Sequence, residues 1–503
     1  MSGTKTTPID HRQAPFFDGL IAYRDAEIVP YSTPGHKLGV GAPQELVDAL
    51  GRQALALDIP NGGGVDDTHR TWRMQRQAEV LAADAWGADD ASFLVNGSST
   101  GNIAFLLGTC RPGDKVLIAR NLHTSLLSGL ILSGARPVYL YPEVHDGLNL
   151  TLDVSVDTVR RALDAHPDAR AVALISPSYT GVAADLRSIA ALCRSRGVDL
   201  FVDEAWGPHF PFHDRLPPGA VQAGASVAVT SIHKLLAGLT QSSLMTFGAW
   251  GAGRDAIAPA VSLIETTSPS ALIAASIDTA RRQMALDGHR LLEQTIELAL
   301  GARARLQEIP GLHVVDESVI DSRQGAGFDP TRIMIDIQKT GLTGFQAEAI
   351  LRSECRIGVE MSDLTGVIVH ITIGDSPDSI DHLVSGFERL VSSQSGVASG
   401  TAVDNRLRSS GSVIFSTSPV LTPREAALGE TSAIPLSSAV GEVAAEIITP
   451  YPPGIPVVAP GDLISAQTVE YLEAAAEVGM YISGPADSSL KTVRIVSGTT
   501  NSG

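Results

Sequence analysis

The chain has 503 residues, 44% of them hydrophobic and 18% charged, with 48 glycines, a composition that suits a soluble α/β protein of two or three domains. Its formal net charge of −18 argues against nonspecific binding to nucleic acid or to an anionic membrane, and the acidity reads as a solubility device. Three scattered cysteines, Cys110, Cys193 and Cys355, have neither CxxC nor metal-ligand spacing, so no metal centre is expected and each thiol should sit reduced in or near a core.

The first thirty residues hold no apolar stretch of signal-peptide length, and no later run approaches a membrane span; a cytoplasmic protein is expected. Residues 1–40 are Pro-rich and weakly periodic and predict an irregular arm. Over 41–268, short apolar runs at 91–95, 115–119, 137–141, 171–176, 198–203 and 226–230 alternate with helical patterns such as 155–165 and 186–196. Several runs are apolar at nearly every position, which suits strands buried on both faces of a mostly parallel sheet. The βαβ rhythm predicts an α/β fold with helices on both faces. A smaller α/β block over 269–391 opens with a long helical run at 271–306. Strands near 312–315 and 332–336, a helix near 344–353, and strands near 357–360 and 367–373 follow. The Ser-, Gly- and Thr-dense stretch 392–412 predicts a linker. Beyond it, 413–503 predicts an α+β domain, with helices at 423–428 and 468–478 on either side of a Pro-rich 450–460 and a frayed end at 497–503.

Two segments carry most of the chemistry. Phe201-Val202-Asp203-Glu204-Ala205-Trp206 ends an apolar strand in an aspartate, and Thr230-Ser231-Ile232-His233-Lys234 ends the next strand in a Ser-x-His-Lys. A cofactor with a reactive aldehyde and a basic ring nitrogen needs that pair: the lysine forms a Schiff base, and the carboxylate keeps the ring nitrogen protonated. Taken alone, Lys234 would be one more surface lysine. At a strand's carboxyl end, where open α/β sheets bind ligands, a desolvated lysine becomes a nucleophile. Asp203 could equally cap a helix, and the two roles are compatible. Asn96-Gly97-Ser98-Ser99-Thr100-Gly101-Asn102 follows a strand and opens a helix, so it reads either as a plain capped turn or as a phosphate cradle of small residues, hydroxyls and helix dipole. It is not a P-loop, and GxGxxG is absent. His123 and His233 read either as satisfied structural histidines or as groups that stack on a planar cofactor or move protons.

Together these segments resemble the bacterial ornithine/lysine/arginine decarboxylases, pyridoxal 5′-phosphate enzymes of the aspartate-aminotransferase fold. Further matching stretches are Thr33-Pro34-Gly35-His36-Lys37, Asn121-Leu122-His123-Thr124-Ser125, Ser176-Pro177-Ser178-Tyr179-Thr180-Gly181, Thr267-Ser268-Pro269-Ser270 and Tyr451-Pro452-Pro453-Gly454-Ile455-Pro456. The resemblance implies that Lys234 bonds the cofactor aldehyde, Asp203 pairs with its pyridinium and His123 stacks on its ring. It implies that Ser98, Ser99, Thr100, Ser231, His233 and Trp206 complete the cofactor site. Thr267 and Ser268 would reach the phosphate from a neighbouring subunit, making the active unit a homodimer or higher homo-oligomer with shared sites. Glu360 and Asp363, in Glu360-Met361-Ser362-Asp363, would meet the cationic end of a basic substrate. Trp206 departs from the small biosynthetic-type members, which usually carry histidine there. It resembles the larger acid-inducible ones, whose long N-terminal wing has no counterpart in this sequence.

The expected activity is decarboxylation of arginine, lysine or ornithine. One alternative is another reaction on the same scaffold, transamination or oxidative decarboxylation. The other is a non-catalytic cofactor-binding paralogue, which would be expected to have lost Lys234, Asp203 or His123, and all three are present.

Overall fold

Residues that are neighbours along the central strands are buried on opposite sides of the sheet. Val116 and Ile118 enter one apolar cluster, and Leu117 and Ala119 enter another. This is the period-two pattern of a sheet covered on both faces. The computed structural model describes residues 9–59, 73–145, 148, 150–320, 323–393, 407, 419–451 and 454–498.

In chain order the elements that matter are α1 (Pro15–Asp25), α2 (Arg73–Trp86), β1 (Asp90–Leu94), α3 (Ser98–Thr109), β2 (Lys115–Ala119), α4 (Thr124–Ser133), β3 (Arg136–Leu140), β4 (Ala171–Ile175), β5 (Asp199–Asp203), β6 (Val227–Ser231), α5 (Ile232–Leu235) and β7 (Ser243–Phe247). The seven strands form one sheet in the order β1-β7-β6-β5-β4-β2-β3. All neighbours are parallel except that β7 runs antiparallel to both β1 and β6. The α/β expectation holds and the sheet is mostly parallel. β7, which sequence reasoning passed over, closes it against β1.

The expected irregular arm contains a helix. α1 starts with Pro15 at a first-turn position, where a missing N–H costs nothing, and buries Phe16 and Leu20. The Phe16 and Phe17 N–H groups donate to the buried Asp278 carboxylate at 2.9 and 3.3 Å. Proline made this stretch look like a breaker, yet at this position it opens a helix.

Next comes α6 (Ala271–Gln307), whose 37 residues span about 55 Å at 1.5 Å per residue. Its first half packs in the cluster around Trp86, and Ala299, Ala302 and Leu306 belong to the core of the second sheet. That sheet is antiparallel, ordered β8 (His313–Val314), β9 (Arg332–Asp336), β11 (Gly366–His370), β10 (Met361–Ser362), and is covered by α7 (Gly344–Cys355) and α8 (Pro377–Ser393). The strand anticipated near 357–360 is displaced to Met361–Ser362. Arg356 caps α7 in the left-handed region (φ 56°), and pairing begins only at Met361. α8 runs to Ser393, into the start of the expected linker. Most of the remaining linker, together with Pro452, Pro453 and the last five residues, lies outside the described residues.

The C-terminal block contains α9 (Pro423–Leu428), β12 (Thr431–Pro435), β13 (Thr449–Tyr451), α10 (Ala466–Glu477), β14 (Tyr481–Ser483) and β15 (Thr492–Val496), with ribbons β12/β15 and β13/β14. A buried cation fastens it to the central sheet. Arg120, fully buried just past β2, donates to the carbonyls of Pro456 and Val457 at 2.6 and 3.2 Å and pairs with Asp462 at 3.2 Å. Arg120→Ala should strand a buried carboxylate and cost about 3–5 kcal/mol of stability. Thermal unfolding of the variant against wild type checks this, and the double change with Asp462→Leu should recover part of the loss.

Candidate active site

The carboxyl ends of the parallel strands share one edge of the sheet, and most of the anticipated residues meet there. The chain leaves β1 at one side and resumes at β2 near the other, opening a crevice between outgoing connections. Asp203 is the last residue of β5, and Lys234 lies in α5, the single turn that follows β6. His123 is the N-cap of α4, and Ser98 begins α3.

Asp203 is buried, and its charge is matched by donors. Asn102 Nδ2 donates to one carboxylate oxygen at 2.7 Å, and the Ala205 N–H donates to the other at 3.1 Å. Asn102 also donates to Ser125 Oγ at 2.8 Å, and that hydroxyl lies 2.8 Å from His123 Nδ1. Burial is the main cause that pushes the His123 pKa down, against the pull of the Asp203 charge. The histidine therefore presents a neutral ring to the cleft.

At the other end, Ser98 Oγ is 2.7 Å from Ser231 Oγ and 3.1 Å from Ser243 Oγ. Gly97, with φ 79°, caps α3 without a side-chain bond, leaving first-turn N–H groups for a ligand. Hydroxyls and a helix N-terminus at one end, with a carboxylate at the other, suit a planar cofactor that is anionic at one end and basic at the other. Gly101 is required by packing, because a Cβ there would come within 2.6 Å of Val229 Cγ2. Ser99 and His233 line this ≈320 Å3 part of the cleft. The Thr100 hydroxyl instead turns back to the Asn96 carbonyl at 3.4 Å.

Lys234 Nζ lies 3.7 Å from the centre of the Trp206 ring. Burial pushes its pKa down to about 8, with Arg332 adding to the fall and Asp203 and Glu360 opposing it. Roughly half of the amine is then neutral at pH 8, against under about 1% for an ordinary lysine. Cofactor-free protein should therefore capture an aldehyde at a rate that rises through about pH 8. Stopped-flow absorbance measured from about pH 6 to 11 checks this, and a midpoint above about 10 would mean that the lysine is solvated.

Trp206 is fixed from behind. The buried Arg332 places its guanidinium 4.7 Å from the indole centre, and it donates to the carbonyls of Ser178 and Tyr179 at 2.5 and 3.0 Å. Beside it, the buried Asp329 pairs with His209 at 3.2 Å. This ties the strand carrying Arg332 to the loops that follow β4 and β5.

The cleft continues past Lys234 and Trp206 into a wider part of ≈580 Å3, whose walls include Phe345, Glu348, Glu360, Ser362, Tyr451 and Tyr481. Glu360 stands at this end. Asp363 does not: its Oδ1 accepts from the N–H and Oγ1 of Thr365 and from the Gly366 N–H at 2.6–2.8 Å, closing the turn between β10 and β11. It lines a neighbouring cavity of ≈110 Å3 that shares Tyr179, Met361 and Met480 with the wide part of the cleft. Thr267 and Ser268 are exposed on the segment before α6 and do not line the cleft of their own chain.

Residues 14–379 match the family model described as Orn/Lys/Arg decarboxylase, major domain, and residues 410–486 match the model of its C-terminal domain. The chain belongs to the Orn/Lys/Arg decarboxylase family. It is 37% identical to the arginine decarboxylase of Bacillus subtilis over 490 residues, which is 97% of this chain and 99% of that protein. It is also 37% identical to the arginine decarboxylase of Halalkalibacterium halodurans over 487 residues, 96% of this chain and 98% of that one. Among solved structures, the constitutive lysine decarboxylase of Escherichia coli superposes with a TM-score of 0.79 at 22% identity, covering 97% of this chain and 82% of that one. At that identity the likeness speaks for the fold.

Sequence reasoning did not single out Asn102 and Glu348, which line the cleft, or Arg332, which backs Trp206. Asn102 was within reach, since it lies one helical turn beyond Ser98 and so shares its face. Arg332 sends no local signal, being 126 residues from the Trp206 carbonyl it faces.

Proposed function

We propose that the protein is a pyridoxal 5′-phosphate-dependent decarboxylase of a basic amino acid, arginine foremost, acting as a homodimer with shared active sites. The observation that carries this is Lys234, half-buried with its pKa lowered by desolvation to about 8, near the buried Asp203 and in a cleft with carboxylates at its far end. Family membership supports the reaction, and the full-length likeness to two arginine decarboxylases supports the substrate. The exposure of Thr267 and Ser268 away from their own cleft agrees with a role in a neighbouring copy's site. Three free, buried cysteines suit a reducing compartment such as the cytoplasm.

The donor set fits the cofactor: Ser98, Ser231 and the first N–H groups of α3 for the phosphate, the neutral His123 ring for its plane, and Asp203 for its ring nitrogen. When bound, pyridoxal phosphate supplies an aldehyde and a ring that accepts the electron pair left when the carboxyl group departs. Asp203, held by Asn102 and the Ala205 N–H, keeps a proton on that ring nitrogen. Lys234 offers a neutral amine for attachment, and as an ammonium it returns a proton to the carbon that lost CO2. Tyr179 and Trp206 line the passage between the two parts of the cleft and limit access of water.

Incubating the holoenzyme separately with arginine, lysine and ornithine, and measuring CO2, amine, keto acid and peroxide, tests the reading. Stoichiometric CO2 and amine are expected, fastest with arginine. Keto acid without CO2, or peroxide with it, would overturn simple decarboxylation.

A further inference from the structure

We propose that Glu348 determines specificity in this site, sharing with Glu360 the distal cation of the substrate and selecting a guanidinium over an ammonium. The inference rests on the basic-amino-acid reading above and assigns the far end of that site.

Among the described residues lining the wide part of the cleft, Glu348 and Glu360 carry the carboxylates. They come from different elements. Glu348 lies in α7, whose start is fixed by a capping box: Thr343 Oγ1 accepts from the Gln346 N–H at 3.3 Å, and Gln346 Oε1 accepts from the Thr343 N–H at 2.9 Å. Glu360 lies just before β10, where its N–H donates to the Ile368 carbonyl at 2.9 Å. Ser362, buried in β10, joins the two by donating its hydroxyl to Glu348 Oε2 at 2.5 Å. A helix carboxylate is thereby aimed at the segment that bears Glu360. The other oxygen, Oε1, accepts from Arg352 at 2.6 Å along the helix. Each carboxylate oxygen has two acceptor sites, so both contacts leave room for a ligand.

Chemistry distinguishes the two possible cations. A guanidinium spreads its charge over a plane and presents five N–H donors, more than one carboxylate can accept. A second carboxylate approaching from a different element meets the edges that the first leaves open. An ammonium is a compact charge on a flexible stem and is served by one carboxylate at the right depth. Asp363, adjacent to this segment in sequence, spends its Oδ1 on its turn and is not among the residues lining the wide part of the cleft.

The test compares Glu348→Gln and Ser362→Ala with wild-type holoenzyme. Glutamine is near-isosteric and its amide oxygen still accepts from Ser362, so fold and cofactor absorbance should be unchanged. For Glu348→Gln, kcat/KM for arginine should fall about ten- to a hundredfold, the loss of one charge-assisted hydrogen bond. The fall should appear in KM rather than kcat, with lysine and ornithine changing less than about threefold. Ser362→Ala should fall between the two. Arginine kcat/KM within twofold of wild type would overturn the assignment and leave Glu348 as a surface partner of Arg352. Equal losses for arginine and lysine would overturn the selectivity. Calorimetric titration of arginine separates this inference from the decarboxylase reading. Binding that weakens in Glu348→Gln supports the assignment even in a protein that releases no CO2, and unweakened binding overturns it.

Discussion

Lys234→Ala is expected to abolish turnover and to remove the visible absorbance of a covalently held cofactor. Among the described residues that line the cleft, no other amine can take over. Arg332 is buried and occupied by backbone carbonyls, and a guanidinium is not a nucleophile at any pH near neutral. His123 spends Nδ1 on Ser125 and acts as the cap of α4. The alanine also takes the cation from the face of Trp206. Two measurements check it. Absorbance of the purified variant after adding pyridoxal phosphate should lack the band of the wild-type adduct, and CO2 release from arginine should fall below detection. Residual activity near wild type would mean that another amine serves, and a wild-type protein that gains no absorbance with pyridoxal phosphate would remove the cofactor from the proposal.

Asp203→Asn should retain the cofactor and lose at least about a thousandfold in kcat, equivalent to about 4 kcal/mol in the barrier. The structure sharpens the reason. Both carboxylate oxygens already accept hydrogen bonds, one from Asn102 and one from the Ala205 N–H. An amide has one oxygen, so its NH2 must face one of these donors or turn toward the ring nitrogen. Either way the negative charge that keeps the ring protonated is gone. The Ser98 and Ser231 hydroxyls proposed to hold the phosphate are untouched, so cofactor affinity should change little. A near-normal kcat would reduce Asp203 to a structural acceptor for Asn102 and Ala205.

Much of this was legible in the sequence because it depends on short-range order. Strands buried on both faces must be apolar at nearly every position, and the residues just past their carboxyl ends face the crevice. Asp203, Lys234, His123 and Ser98 could therefore be singled out as candidates from strand-end grammar, while their expected roles came from the family resemblance. Helices with caps and clear stops were equally readable: 186–196 and 423–428 coincide with the observed helices Leu186–Arg196 and Pro423–Leu428. Where a local signal was ambiguous, reading failed. Pro15 resembled a breaker in an arm that contains a helix, and 357–360 resembled a strand whose pairing starts one residue later.

The far end of the cleft was decided by tertiary structure. Adjacency to Glu360 favoured Asp363, but a three-donor turn claims that carboxylate. The carboxylate that does reach the cleft, Glu348, sits on a helix whose facing is set by packing against the second sheet. The support of Trp206 by Arg332 joins a residue of the second sheet to the loop that follows β5. The sequence by itself determined which residues end the strands, because burial and hydrogen bonding there are settled within a few neighbours. Which side chains line the substrate end was decided only when the second sheet and the C-terminal ribbons closed over the first, since long-range packing, not local propensity, sets the facing of those elements.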